Sequence, residues 1–255
     1  MIMLQYSGDR FAHIINRIDP ILIATVCIMD DFGRERRARP ELFLAKLTNG
    51  EPPNYYAQHI KNLAIVGGFD INAKPIEHIL AVCTGVENLV LLTQAFDIGF
   101  FKHPLAGRNL RRLAINLERF ESKSNFNHPC FTNITHLHLW DHDWPTYPGW
   151  ENLASLTHLA FACSGTPSQV RQLMRKVPTV RYVALGSYHG ENRYGDAVIN
   201  NGRHRRKAWS VRVVFLGNIP DYDWERGARG KGDFWDVVER EVQRRLGESS
   251  VDLVD

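Results

Sequence analysis

The chain has no long hydrophobic run. No stretch approaches the roughly 18 apolar residues of a membrane-spanning helix. The start, MIMLQYSGDRFAH, lacks the basic residues and apolar core of a secretory signal. Cysteine is scarce: the four, Cys27, Cys83, Cys130 and Cys163, lie far apart with no metal-finger spacing, so a reduced protein of the cytoplasm or nucleus is expected. In that setting the NIT sequon at 133–135 is idle. An excess of one charge is also missing. The formal net charge is +3, which supplies no electrostatic reason to expect a nucleic-acid or membrane partner. The basic clusters at 34–39 and 203–207 (RHRRK) are expected to be solvated loops. Neither the G-x-G-x-x-G nor the G-x-x-x-x-G-K-[ST] phosphate loop occurs, and there is no G-x-S-x-G nucleophile elbow. No catalytic residues and no cofactor are therefore expected.

What the chain does have is a repeat. With h for an apolar residue, the pattern h-x-x-h-x-h occurs as IKNLAI from Ile60, VENLVL from Val86, LRRLAI from Leu110, ITHLHL from Ile134, LTHLAF from Leu156 and VRYVAL from Val180. A looser seventh, VRVVFL, starts at Val211, and a weak further candidate, IATVCI, at Ile23. One such match means little, but six in succession at nearly even spacing, close to the roughly 20–29 residues of a leucine-rich unit, imply stacked copies of one structural element. In each copy the alternating residues take opposite faces of a short strand. The leucine-type positions turn into a core that only neighbouring units can complete.

The returns between strands differ. KPIEHILAVCT (74–84) places Ile76, Ile79, Leu80 and Cys83 on one helical face, with Pro75 in the first turn. PSQVRQLMRKVP repeats the device with Val170, Leu173, Met174 and Val177. Residues 122–133 and 141–152, rich in Pro, Asn and Gly, read as loops or single turns, and 187–207 as a long polar loop. A further helix is expected over 40–48. Residues 233–246 read as an amphipathic helix with Phe234, Val237, Val238, Val242 and Leu246 on one side, capping the exposed core of the last repeat. The expected fold is thus α/β: an irregular leucine-rich-repeat-like solenoid with a parallel sheet of about seven short strands, helices or loops on its other side and a C-terminal capping helix. Its parts are an N-terminal cap or divergent first repeat (1–59), the array (60–217) and a C-terminal turn and capping helix (218–255).

The same register predicts the outward face. One column is Asn62, Asn88, Arg112, His136, His158 and Tyr182; the next is Ala64, Val90, Ala114, His138, Ala160 and Ala184. Small residues in the second column suit a sheet covered by another part of the chain, a crowded curved sheet, or a partner's surface. For the last case Asn62, Asn88, Arg112, His136, His138, Trp140, His158 and Tyr182 are the candidate partner-binding residues, since aromatics and Arg dominate interface energetics.

Two resemblances bear on function. HILAVCTGVENLVLL, a helix ending in cysteine followed by L-x-L, resembles the leucine-rich repeats of F-box-type proteins. FTNITHLHLWDHDW, WENLASLTHLAF and DYDWERGARGKGDFWDVVE resemble repeat proteins of mushroom-forming fungi. The likeness covers residues 60–248 and implies a protein-binding partner role, as in substrate recognition by an SCF-type ubiquitin ligase. Docking of a Skp1-type adaptor is implied only with an F-box, and the leucine-proline-x-glutamate start of one is not found near residue 1. Separately, HLHLWDH is similar to the H-x-H-x-D-H signature of metallo-β-lactamase-type hydrolases, with His136, His138, Asp141 and His142 as metal ligands of the alternative reading. Leu139 and Trp140 both precede Asp141, one residue more than that signature has, and His136 recurs as His158 in the next repeat, so the repeat alone accounts for it.

Overall fold

The computed structural model describes residues 25–29, 45, 49, 59–67, 73–93, 109–119, 125–141, 144–162, 166–186, 210, 212–216, 227 and 232–251. The expectations for 34–39, 40–48, 187–207, His142 and Cys163 lie mostly or wholly outside these residues. Two compact units divide the chain, residues 1–134 and 135–255. The protein is α/β, its described strands pair in parallel, and a helix lies near the C-terminal end. Among the described residues no helix is long and apolar enough to cross a membrane.

The first unit holds β1 (Thr25–Met29), β2 (Asn62–Gly67), β3 (Asn88–Thr93) and β4 (Arg112–Ile115), parallel and adjacent in chain order. Thr25 pairs with Asn62, Asn62 with Asn88 and Asn88 with Arg112. The weak candidate from Ile23 is therefore a strand in the common register. Leu63, Ile65, Leu89, Leu91, Leu113 and Ile115 are buried, as the alternation requires. Helix α1 (Ala73–Val82) follows β2 and buries Ile76, Ile79 and Leu80. After β4 the described residues hold two 3-10 turns, Leu117–Arg119 and Pro129–Phe131, and Phe126 meets Phe131 edge to face at 5.1 Å.

The second unit repeats the plan with β5 (His136–Leu139), β6 (His158–Phe161), β7 (Tyr182–Leu185) and β8 (Val213–Phe215), again parallel and in chain order. The return after β5 is two 3-10 turns, Trp144–Thr146 and Trp150–Asn152. Trp144 stacks on Phe161 at 3.9 Å, and Trp150 Nε1 donates to the Trp144 carbonyl at 3.3 Å. Gly149, at φ 85°, supplies the left-handed residue before the second turn. Helix α2 (Pro167–Lys176) follows β6. It starts on a reciprocal cap in which Gln169 N–H donates to Thr166 Oγ1 and Thr166 N–H donates to Gln169 Oε1.

Two expectations are corrected. The seventh strand sits one residue out of the predicted frame: Val183 pairs with Val213 and Ala184 with Val214. Val213 thus takes an inward position and Val214 an outward one, because a one-residue slip exchanges the two faces of a strand. The terminal helix α3 (Phe234–Val251) also lies elsewhere than expected. It packs on the outward face, where Phe234, Trp235, Val238 and Val242 form one buried cluster with Ala160, Ala184 and Val214. Val237 and Leu246, expected on the apolar side, are 45% and 44% exposed.

Candidate functional site: a histidine-lined sheet face under the terminal helix

Helix α3 crosses all four strands of the second unit. Phe234 meets His138, and Trp235 meets His136, on β5. Glu239 reaches His158 on β6, Gln243 donates to the Tyr182 hydroxyl on β7 at 3.1 Å, and Arg245 Nη1 donates to the Val213 carbonyl on β8 at 2.7 Å. The dimensions agree. Ten helical residues rise about 15 Å, and three strand spacings span about 14 Å. Beyond Arg245 no further described strand lies under the helix, which is why Leu246 continues the i, i+4 stripe without being buried. Close approach requires small residues beneath, and Ala160 and Ala184 supply them.

Asp233 starts the helix: Trp235 N–H donates to its Oδ1 at 2.9 Å, and Asp233 N–H donates to Asp236 Oδ2 at 2.8 Å. The residue before it, Gly232, has φ 76°.

Beneath the helix runs a ladder of stacked rings. His136 and His158 lie 3.9 Å apart with planes inclined by 7°, and His158 stacks on Tyr182 at 4.6 Å. Trp235 stands edge-on to both histidines, at 5.5 and 5.4 Å. Each histidine is held by the threonine preceding it. Thr135 Oγ1 is 2.9 Å from His136 Nδ1, and Thr157 Oγ1 is 2.8 Å from His158 Nδ1. The far side of the second ring meets the helix, with His158 Nε2 2.9 Å from Glu239 Oε1.

His138 differs from its neighbours. It is buried between Phe234 and Trp140, whose indole N–H donates to its Nδ1 at 3.4 Å. That contact puts the ring hydrogen on Nε2, which is buried with no hydrogen-bond partner among the described residues. Burial pushes the pKa of His138 down from 6.5 to about 3, so the ring is neutral.

The predicted site residues divide as follows. Asn62, Asn88 and Arg112 align across β2, β3 and β4, with Asn88 Nδ2 donating to Asn62 Oδ1. His136, His158 and Tyr182 align across β5, β6 and β7 and lie against α3. Trp140 is half-buried just past β5, and Asp141 is fully buried. Of the four residues named for the hydrolase-type metal site, only His136 enters the cluster of potential ligands that the described residues form. That cluster is His136, His158 and Glu239, whose ligand atoms all lie within 4.8 Å of one another. Sequence reasoning missed Trp235 and Glu239, which reach these histidines from some eighty to a hundred residues away in the chain. The repeated Thr-His pair was legible in ITHLHL and LTHLAF.

No known family's sequence model matches the chain, and no curated protein matches it. Fold and site together define an α/β protein with parallel strands whose second unit closes its outward face with its own terminal helix.

Proposed function

We propose that this protein is a non-catalytic, leucine-rich-repeat-like module that binds another protein, similar to the recognition half of F-box proteins. The observation that carries the reading is the register. Residues at equivalent places in successive h-x-x-h-x-h copies pair side by side, Thr25 through Arg112 in the first unit and His136 through Tyr182 in the second. Stacked copies of one strand unit are the build that solenoids use to offer a sheet face to a partner. In the second unit α3 already occupies that face. The partner-binding candidates therefore narrow to Asn88 and Arg112 of the first unit, which are half-buried, whereas Asn62 beside them is buried. Arg112, with its five donors on a planar fork, is the anchor of choice.

The test is affinity purification of the full chain from its native cells, comparing the natural protein with Arg112→Glu. A partner retained by the first and lost by the second supports the reading. Identical recoveries from both overturn the assignment of this face. The ligase role is tested separately with a purified Skp1-type adaptor; failure to bind removes that role and leaves the module.

A further inference from the structure

The contact between His158 Nε2 and Glu239 Oε1, at 2.9 Å, brings a ring nitrogen against a carboxylate. Two lone pairs at that distance repel, so the contact needs a positive centre between them. A proton on Nε2 is one. A metal ion is the other, and the surroundings suit it. With Nε2 given to a metal, the ring hydrogen moves to Nδ1 and donates to Thr157 Oγ1, which in turn donates to the Thr135 carbonyl at 3.2 Å. An oxygen on the other ring nitrogen, fixing tautomer and orientation, is the usual support of a metal-binding histidine. His136 has the same support from Thr135 Oγ1.

We propose that His136 and His158, through Nε2, and Glu239, through its carboxylate, bind one divalent transition metal ion of the zinc class, which ties α3 to β5 and β6. Two imidazoles and one carboxylate suit zinc, cobalt or nickel, whereas calcium and magnesium take all-oxygen shells. One ligand atom from each of the three residues already lies within 4.8 Å of the others. On a tetrahedral zinc they stand roughly 3.3 Å apart, given bonds of about 2.0–2.1 Å. The gap closes by one motion: the parallel rings do not aim at a single point, so His136 turns out of its stack on His158. The Glu239 side chain is 43% exposed, which opens the site to ions from solvent, while Trp235 shields the rings on its own side. Three protein ligands leave the fourth position to water. The site joins strands to a helix 81 residues further along the chain, so the free energy of metal binding adds to the docking of α3. This set shares only His136 with the hydrolase-type set and differs from it in role.

The test uses the purified full chain stripped of metal. Zinc is titrated calorimetrically, and cobalt is followed by its visible absorption. One ion per chain, tetrahedral cobalt bands and a raised thermal midpoint are expected. Glu239→Gln keeps an acceptor for His158 and should fold normally, as circular dichroism will verify, yet should weaken zinc binding at least ~10-fold. His136→Gln should do the same without touching the His158–Glu239 contact. No zinc binding by the natural chain overturns the proposal. So does binding that both variants retain at full strength, since the ion is then held elsewhere.

Discussion

His138 should make the second unit sensitive to mild acid, by an amount that can be worked out. Its ring is buried and neutral, with a pKa lowered from 6.5 to about 3 by loss of hydration. In the unfolded chain the same ring takes a proton as pH falls through 6.5, whereas in the folded chain it does so only near 3. Between those values the unfolded state binds more protons, so stability rises with pH across the window and is lost as pH falls through it. The loss is about 1.4 kcal/mol per pH unit below 6.5, or about 2 kcal/mol at pH 5. His138→Phe removes the titrating group and the unpartnered Nε2–H while keeping a flat ring against Phe234 and Trp140. Urea unfolding at pH 7.5 and pH 5 should show the natural chain losing about 2 kcal/mol more than the variant over that interval. The subtraction cancels the carboxylates and the other histidines. Equal losses in the two proteins would refute a neutral, buried His138 and with it the close seat of Phe234.

Further outcomes follow from the same packing. Ala184→Leu places extra methylenes under α3, and overpacking there should cost about 1–3 kcal/mol in denaturant unfolding; a neutral result would mean that α3 does not rest on this column. Glu241 is held at about 2 by hydrogen bonds from Arg244 and Arg245, partly offset by desolvation. Its contribution is present above the ordinary carboxylate value of 4.5 and lost as pH falls toward 2. Because the group is half-buried and solvent still screens the ion pairs, Glu241→Gln should cost no more than about 1 kcal/mol at pH 7 in a thermal melt. Cys130 is buried, with its thiol pushed up to about 12 by desolvation. Mass-mapped alkylation at pH 8 should leave it unmodified until the chain is unfolded, and labelling at the rate of a free thiol would contradict its burial.

Much of the fold was legible in the sequence because it rests on local pattern. Alternating apolar residues at 63, 65, 89, 91, 113 and 115 marked short strands that turn these positions into a core. The 3.6-residue rhythm of Ile76, Ile79, Leu80 and Cys83 marked α1, and that of Val170, Leu173, Met174 and Val177 marked α2. The frame of β8 was not legible. In SVRVVFL, Val213 with Phe215 and Val214 with Leu216 offer two apolar frames of nearly equal quality, and only pairing with β7 chooses the first. The site was half legible. The register put His136, His158 and Tyr182 in one column, and the Thr-His pair marked the repetition, but nothing in the sequence linked that column to Trp235 and Glu239.

The sequence by itself determined the strands, the register shared by β1–β4 and that shared by β5–β7, and the outward turn of the histidines, because side-chain period and local polarity decide these within a few residues. Only the tertiary structure decided what those histidines meet. An amphipathic helix carries an apolar stripe but no address for it. α3 could have covered the open core at the end of the strands. It crosses the outward face instead, where Ala160 and Ala184 let it approach, three strand spacings match ten helical residues, and His158 stands within hydrogen-bonding distance of Glu239.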